Sequence, residues 1–175
     1  DIKADIISHP LDQWVLAELA ETVQKATDSF EAYEYANAFR AIEEFFWSVF
    51  CDNYLELIKY RVREIGDTPT QEQRSAQYTL LHACRAILRL LAPLMPYVTE
   101  TISPAFALPG DNDYGSHARG SWPNAGDFPQ SDTRRELGAA VVDVVAGMRK
   151  VKSSLGVSMR AEVATLYIWS VADDT

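Results

Sequence analysis

The sequence predicts an all-α protein, an antiparallel helix bundle followed by a long loop, a further helix and a C-terminal β-strand. Three observations lead there. Apolar residues recur at steps of three and four through long stretches with almost no Gly or Pro, which is the period of an amphipathic helix. Gly, Pro and Ser/Thr capping signals separate those stretches. The 175 residues are also 47% hydrophobic and 11% aromatic, enough to bury a core and incompatible with a disordered or collagen-like chain.

Taken in order, Asp12 is placed to cap a first helix of about 20 residues whose Leu16, Leu19, Val23, Ala26 and Phe30 form one stripe. A second helix runs from near Tyr35 to Ile65, with Gly66 as its stop. Its seam reads Ala38, Ile42, Phe45, Val49, Leu57 and Ile58, widened by Phe46, Trp47, Phe50 and Tyr54. At 1.5 Å per residue it spans about 45 Å and serves as the spine of the bundle. Thr68, Pro69 and Gln71 then supply an N-cap, a proline in the first turn and a capping-box partner. The third helix places Leu80, Cys84, Ile87, Leu91 and Leu94 on one face. Pro93 and Pro96 break it into a short continuation, stopped by Pro104. The short link between the second and third helices makes them antiparallel and sets Cys51 level with Cys84. Helix axes 8–10 Å apart hold such cysteines beyond disulfide reach, so two buried free thiols are expected.

From Ala107 to Asp132 the chain is a loop pinned by Tyr114, Trp122 and Phe128. A helix from about Thr133 to Ser154 follows, with Leu137, Ala140, Val141, Val144, Met148 and Val151 on its apolar face. Residues Ala161 to Ser170 alternate β-branched and aromatic side chains and read as a strand whose sheet partners lie elsewhere. The domain reading is a helical bundle over 1–106, a connecting loop over 107–132, and a helix plus strand over 133–175 that begins a small α+β subdomain.

No apolar run approaches the ~18 residues of a membrane span, and the start lacks the basic and apolar regions of a signal peptide. Two cysteines are too few for a disulfide framework, so a cytoplasmic, reducing setting is expected. The net charge is −9, which taken alone argues against a nucleic-acid partner. Yet residues 1–56 hold twelve acids against Lys3, Lys25 and Arg40, which accounts for all of it. The remainder is neutral and contains two basic clusters: Lys59, Arg61 and Arg63, followed by Arg74, Arg85 and Arg89; and Arg149, Lys150, Lys152 and Arg160. Each also fits an ordinary solvated helix face.

Catalytic patterns are absent. There is no Gly-x-Ser-x-Gly, no phosphate-cradling glycine loop and no His-Glu-x-x-His. His9, His82 and His117 have no partners at metal-ligand spacing, and Glu43 and Glu44 point about 100° apart on a helix. Asp52, Glu56 and Lys59 make a polar stripe suited to solvation or a local ion pair. Lys150 to Ser154 reads as a basic helix end rather than a phosphate loop.

Five ordered motifs carry a resemblance. The run Trp47, Phe50, Cys51, Asp52, Tyr54, Glu56, Lys59 and Arg61 is similar to the W-x-x-F-C-D-x-Y-x-E-x-x-K-x-R signature in the helical anticodon-binding domain of valyl-tRNA synthetases. Asp12, Trp14 and Leu16 resemble that family's D-x-W-I-L, and Phe30, Glu31, Tyr33 and Ala38 its F-E-x-Y-x-F-x-x-A. Leu91, Pro93, Met95, Pro96, Thr99 and Glu100 resemble its L-x-P-x-M-P-F-x-T-E-E, and Trp122 with Pro123 the end of the following loop. Isoleucyl-tRNA synthetases share the architecture but typically lack the Trp47, Cys51 and Asp52 pattern. Two departures stand out. Thr101 to Pro104 replace a second glutamate and an aromatic, so the short helix should end early. The class I catalytic motifs H-I-G-H and K-M-S-K-S are missing, and the chain begins after the family's N-K-x-W-N-A helix.

The resemblance implies a bundle of the class I synthetase anticodon-binding type and no catalytic or metal site within these residues. Its partners would be a valine tRNA and the catalytic domain of the same synthetase, with no membrane and no DNA. No cofactor is expected in the fragment, whereas the parent enzyme would use ATP and Mg. Unstacked anticodon bases are read by stacking and edge hydrogen bonds while Lys and Arg hold phosphates. The candidate tRNA-binding residues are therefore Lys59, Arg61, Arg63, Arg149, Lys150 and Lys152. An isoleucyl-type domain, or a protein-interaction module derived from the same fold, remains the alternative.

Overall fold

Helix α1 spans Pro10–Glu31. Its cap is His9, whose Nδ1 accepts the Leu11 amide at 3.2 Å, with Pro10 fixing φ in the first turn. Asp12, expected as the cap, lies one turn further in with its side chain in the core. The computed structural model describes residues 5–63, 68–107 and 120–169. Gly66, Tyr114 and Ser170, which the sequence analysis singled out, lie outside them.

Helix α2 (Tyr35–Glu44) runs without a backbone break into a π-helical segment, Phe45–Leu55, and on into α3 (Glu56–Arg63). The spine is thus continuous, but its period is not uniform. In the π segment hydrogen bonds close over five residues rather than four. The buried residues accordingly step from Ile42 to Phe45, Phe50, Tyr54 and Ile58. The seam expected at Val49 passes to Phe50, leaving Val49 half-buried and Trp47 exposed. Near-parallel ring contacts line the wide turns, Phe45 to Phe50 at 6.3 Å and Phe50 to Tyr54 at 6.0 Å.

Helix α4 (Gln71–Leu91) is capped by Thr70, whose hydroxyl accepts the Gln73 amide at 3.2 Å. The cap thus falls two residues later than Thr68, because a helix opening at Gln71 brings the Thr70 side chain within reach of the third helical amide. The helix runs back along the spine, with its start against α3 and its end near α2, as the short link requires. Helix α5 (Pro96–Ile102) follows the proline break, and a 3₁₀ turn at Ser103–Phe106 ends it early. Arg85 Nε donates to the Phe106 carbonyl at 3.0 Å and ties that turn to α4. Cys51 and Cys84 are both free and half-buried, less enclosed than expected. Burial pushes the Cys84 thiol up to about 11, and the neighbouring Cys51 adds to the rise.

The loop returns to the bundle through Trp122, whose indole N–H donates to Thr27 Oγ1 at 2.8 Å, and through Ala125 and Phe128, which join the core. Helix α6 (Asp132–Ser154) is capped by Ser131 and packs on α1. Gly138 lies close over the Trp14 ring, where a Cβ would meet ring atoms at 2.1 Å. Arg135 reaches across to Glu18 at 3.4 Å and also pairs with Glu21. The apolar face expected on α6 is only partly covered. Leu137, Ala140 and Val151 are exposed, because Gly138, Arg135 and Val142 make the contact instead.

Over 161–169 the expected C-terminal strand does not form. Among the described residues no β-ladder exists, and 161–169 follow α6 without a partner strand. Alternation alone favours a strand only when a neighbour supplies the ladder bonds. No described helix is long and apolar enough to cross a membrane.

Candidate nucleic-acid interface

The spine and α6 enclose a cleft of about 870 Å³ between the end of the π segment, the start of α3 and the last turns of α6. Lys59, Arg149, Lys152 and Arg160 line it together with Asp52 and Glu56. Residues from two basic clusters about 90 positions apart in sequence thus meet at one surface. Four cations face two carboxylates, so the cleft is locally positive on a chain whose net charge is −9.

The cations differ in what they are free to do. Lys59 pairs with Glu56, and that hydrogen bond holds the Glu56 carboxyl below the usual carboxylate range, with the Lys59 and Arg149 charges acting in the same sense. Arg149 reaches the Asp52 carbonyl at 3.4 Å. Lys152 Nζ donates to the carbonyls of Met159, at 3.1 Å, and Ala161, so it holds the turn after α6. Lys150 is exposed on α6 outside the cleft, and Arg63 is exposed at the end of α3.

Arg61 is not at this surface. It is 3% exposed, and its guanidinium grips Asp12 with Nη2 to Oδ1 at 2.7 Å and Nη1 to Oδ2 at 3.1 Å. Asp12, itself 0% exposed, also accepts from the Tyr54 hydroxyl at 2.8 Å and the Ser75 hydroxyl at 2.6 Å. Burial, reinforced by the Asp12 charge, pushes the Tyr54 phenol far up. One carboxylate thereby ties α1, the π segment, α3 and α4 together and fixes the rotation of the turn that carries Lys59 and Arg63. Both oxygens of the buried carboxylate are thereby satisfied, as a buried charge requires, while Arg61 Nε is left without a hydrogen-bond partner. The signal was legible: Asp12 shares the stripe of Leu16, Leu19 and Val23, and Arg61 that of Tyr54 and Ile58. Two opposite charges on otherwise apolar stripes predict each other as partners. Arg160, Asp52 and Glu56 also line the cleft, although none is among the candidate residues the sequence pattern suggests.

A second cavity, about 420 Å³ between the spine, α4 and α5, is lined by Phe39, Phe46, Trp47, Ile87, Met95 and Ile102, with Glu43 as the only charged residue among the described residues that line it. It offers nothing to a polyanion. Fold and cleft together define a helical module with a localised cationic groove.

Residues 12–168 match the family model described as the anticodon-binding domain of tRNA ligase. The chain is 37% identical over 168 residues to a valine–tRNA ligase of Wolbachia sp. subsp. Brugia malayi, covering 95% of this chain and 19% of the relative. It is also 37% identical over 163 residues to the valine–tRNA ligase of Ehrlichia canis, covering 93% and 20%, and over 164 residues to that of Rickettsia typhi, covering 93% and 19%. The chain belongs to the tRNA-ligase anticodon-binding domain family, on its valine–tRNA ligase branch, and it spans about a fifth of the length of these relatives.

Proposed function

We propose that this domain recognises the anticodon arm of a valine tRNA and supports its ATP-dependent aminoacylation by a catalytic domain outside these residues, in the cytoplasm. The convergence of Lys59, Arg149, Lys152 and Arg160 on one cleft carries this reading. Lys59, Arg63, Arg149 and Lys150 contact phosphates, Lys152 shapes the cleft wall, and Arg61 positions the α3 turn from within. Asp52 and Glu56 accept base amino groups. Residues 133–175 begin a further subdomain that is completed by other parts of the parent chain, with 1–106 as the bundle and 107–132 as the connector.

The ATP and Mg of the parent enzyme act, on this reading, in the catalytic domain outside these residues. The one segment with a lysine-serine likeness to a phosphate loop, Lys150 to Ser154, is the closing turn of α6, and its Lys152 is engaged by two backbone carbonyls.

The test is a salt titration of binding to valine tRNA and to the same tRNA with an altered anticodon. Three to five phosphate contacts give a log–log slope of about −2 to −4. A slope near zero, or equal affinity for both tRNAs, refutes the reading.

A further inference from the structure

The turn between α1 and α2 holds an aromatic residue in a conformation that favours glycine. Tyr33 lies at φ +62°, where Cβ crowds the backbone. It ends α1 in a Schellman-type arrangement, with its amide on the Phe30 carbonyl at 3.0 Å and the Glu34 amide on the Ser29 carbonyl at 2.8 Å. Glycine is the usual occupant of that position. The ring gains no burial in return, being 79% exposed.

Its neighbours form a fixed base beneath it. Tyr35, 50% exposed, meets Tyr33 edge-on at 6.4 Å and leans on Phe30 at 5.7 Å. Phe30 in turn meets Trp122 edge-on at 5.2 Å, and the Trp122 indole is anchored on Thr27. The result is a pair of open tyrosine rings on a footing of packed aromatic side chains. The segments that build it, 27–37 and 120–128, carry Asp28, Glu31, Glu34 and Asp127 and no Lys or Arg. A phosphate-bearing partner meets like charge here, whereas a cation meets both ring faces and carboxylates. Arginine fits better than lysine because its planar guanidinium stacks.

We infer that the Tyr33–Tyr35 platform is a docking surface for an arginine-bearing segment of a partner protein, the guanidinium lying on the rings and the local negative charge of the segments that carry them attracting its flanking cations. The platform sits at the α2 end of the spine, on the order of 30 Å from Lys59 along the same rod. Both surfaces are therefore open to simultaneous occupation, and this inference stands independently of the reading of the basic cleft.

The test titrates the whole 175-residue chain with a fluorescent octa-arginine peptide at physiological salt. Tyr33→Gly removes the ring and its strain but no charge, so general attraction of the peptide to an acidic protein is unchanged. Peptide affinity should fall about threefold in Tyr33→Gly and about tenfold when Tyr35→Ala is added, with the melting temperature of Tyr33→Gly not lowered. Tyr33→Asn, which also tolerates this backbone, should show the same loss, and octa-lysine should bind more weakly than octa-arginine. Unchanged octa-arginine affinity in both Tyr33 variants overturns the inference. So does an octauridylate that binds the wild type and is lost in Tyr33→Gly, since the platform would then serve RNA.

Discussion

Gly138 and Gly147 lie on the same helix and should answer the same substitution with opposite signs. Alanine gains about 1 kcal/mol over glycine in a helix interior. At Gly147 nothing lies within 4 Å of an added Cβ, so Gly147→Ala should stabilise by up to about 1 kcal/mol. At Gly138 the added carbon would stand 2.1 Å from Trp14 Cδ1 and Cγ, whereas carbon atoms rest at about 3.5–4.0 Å. Trp14 is 3% exposed and enclosed by the core, so it has no room to swing away. Helix α6 must instead retreat from α1 by about 1.5 Å. Overpacking costs about 1–3 kcal/mol, and a contact this short belongs at the upper end. Net of the propensity gain, Gly138→Ala should lose about 2 kcal/mol. Urea unfolding followed by tryptophan fluorescence and circular dichroism reads both variants against the wild type. The retreat also carries Arg149 and Lys152 away from Lys59, so tRNA affinity should fall for Gly138→Ala and hold for Gly147→Ala. A Gly138→Ala midpoint at or above that of the wild type refutes the close packing of α6 on Trp14.

Arg61→Met leaves Asp12 buried without its cation and should cost about 3–5 kcal/mol, whereas pairing it with Asp12→Leu should restore most of that; equal unfolding midpoints for the two variants would contradict the clamp. Burial, with the Arg61 charge behind it, lowers the His9 pKa, so the folded state favours the neutral imidazole that caps α1. That contribution is complete above the ordinary value near 6.5 and is lost as pH falls through the lowered folded value. Melting temperature should therefore drop between about pH 7.5 and 5 more steeply in the wild type than in His9→Asn, which keeps a capping acceptor. Lys59→Gln and Arg149→Gln should each weaken tRNA binding and flatten the log–log salt slope by about 0.7–0.9, whereas Arg40→Gln, on α2 and absent from the cleft, should do neither.

The helices were legible because a 3.6-residue repeat is a local property: the Leu16, Leu19, Val23 stripe means the same thing in any helical bundle. The break at Pro93 and Pro96 was readable for the same reason, since ring sterics act within one turn. What escaped has more than one origin, some of it local and some set by residues distant in sequence. The shift of the seam from Val49 to Phe50 comes from a looser ladder that no short window reveals. Arg61 sits among surface-type cations in sequence, and only its stripe with Tyr54 and Ile58 marks it as internal. Residues 161–169 show strand alternation, yet a strand is made by its neighbour as much as by itself. The cleft was half-readable: the two basic clusters stood out, but their meeting depends on α6 folding back over α1, which rests on Gly138 and Arg135 rather than on the apolar face that the pattern emphasised.

The π segment makes the spine a rod whose two ends are set at a fixed rotational phase. Each residue of an α-helix turns the chain by about 100°, so a looser stretch acts as a phase shifter between the helical turns on either side of it. Upstream, the phase is locked by Ala38 and Ile42 in the core; downstream, by Ile58 and the Arg61 grip on Asp12. Removing a single residue from the α-helical turn just beyond the π segment, Glu56 or Leu57, would swing everything downstream by roughly a quarter turn. Ile58 would leave the core, Arg61 would point away from Asp12, and Lys59 would face a different side of the molecule. Replacing any one of those side chains alters one contact, whereas shortening the rod by one residue redirects an entire end of it.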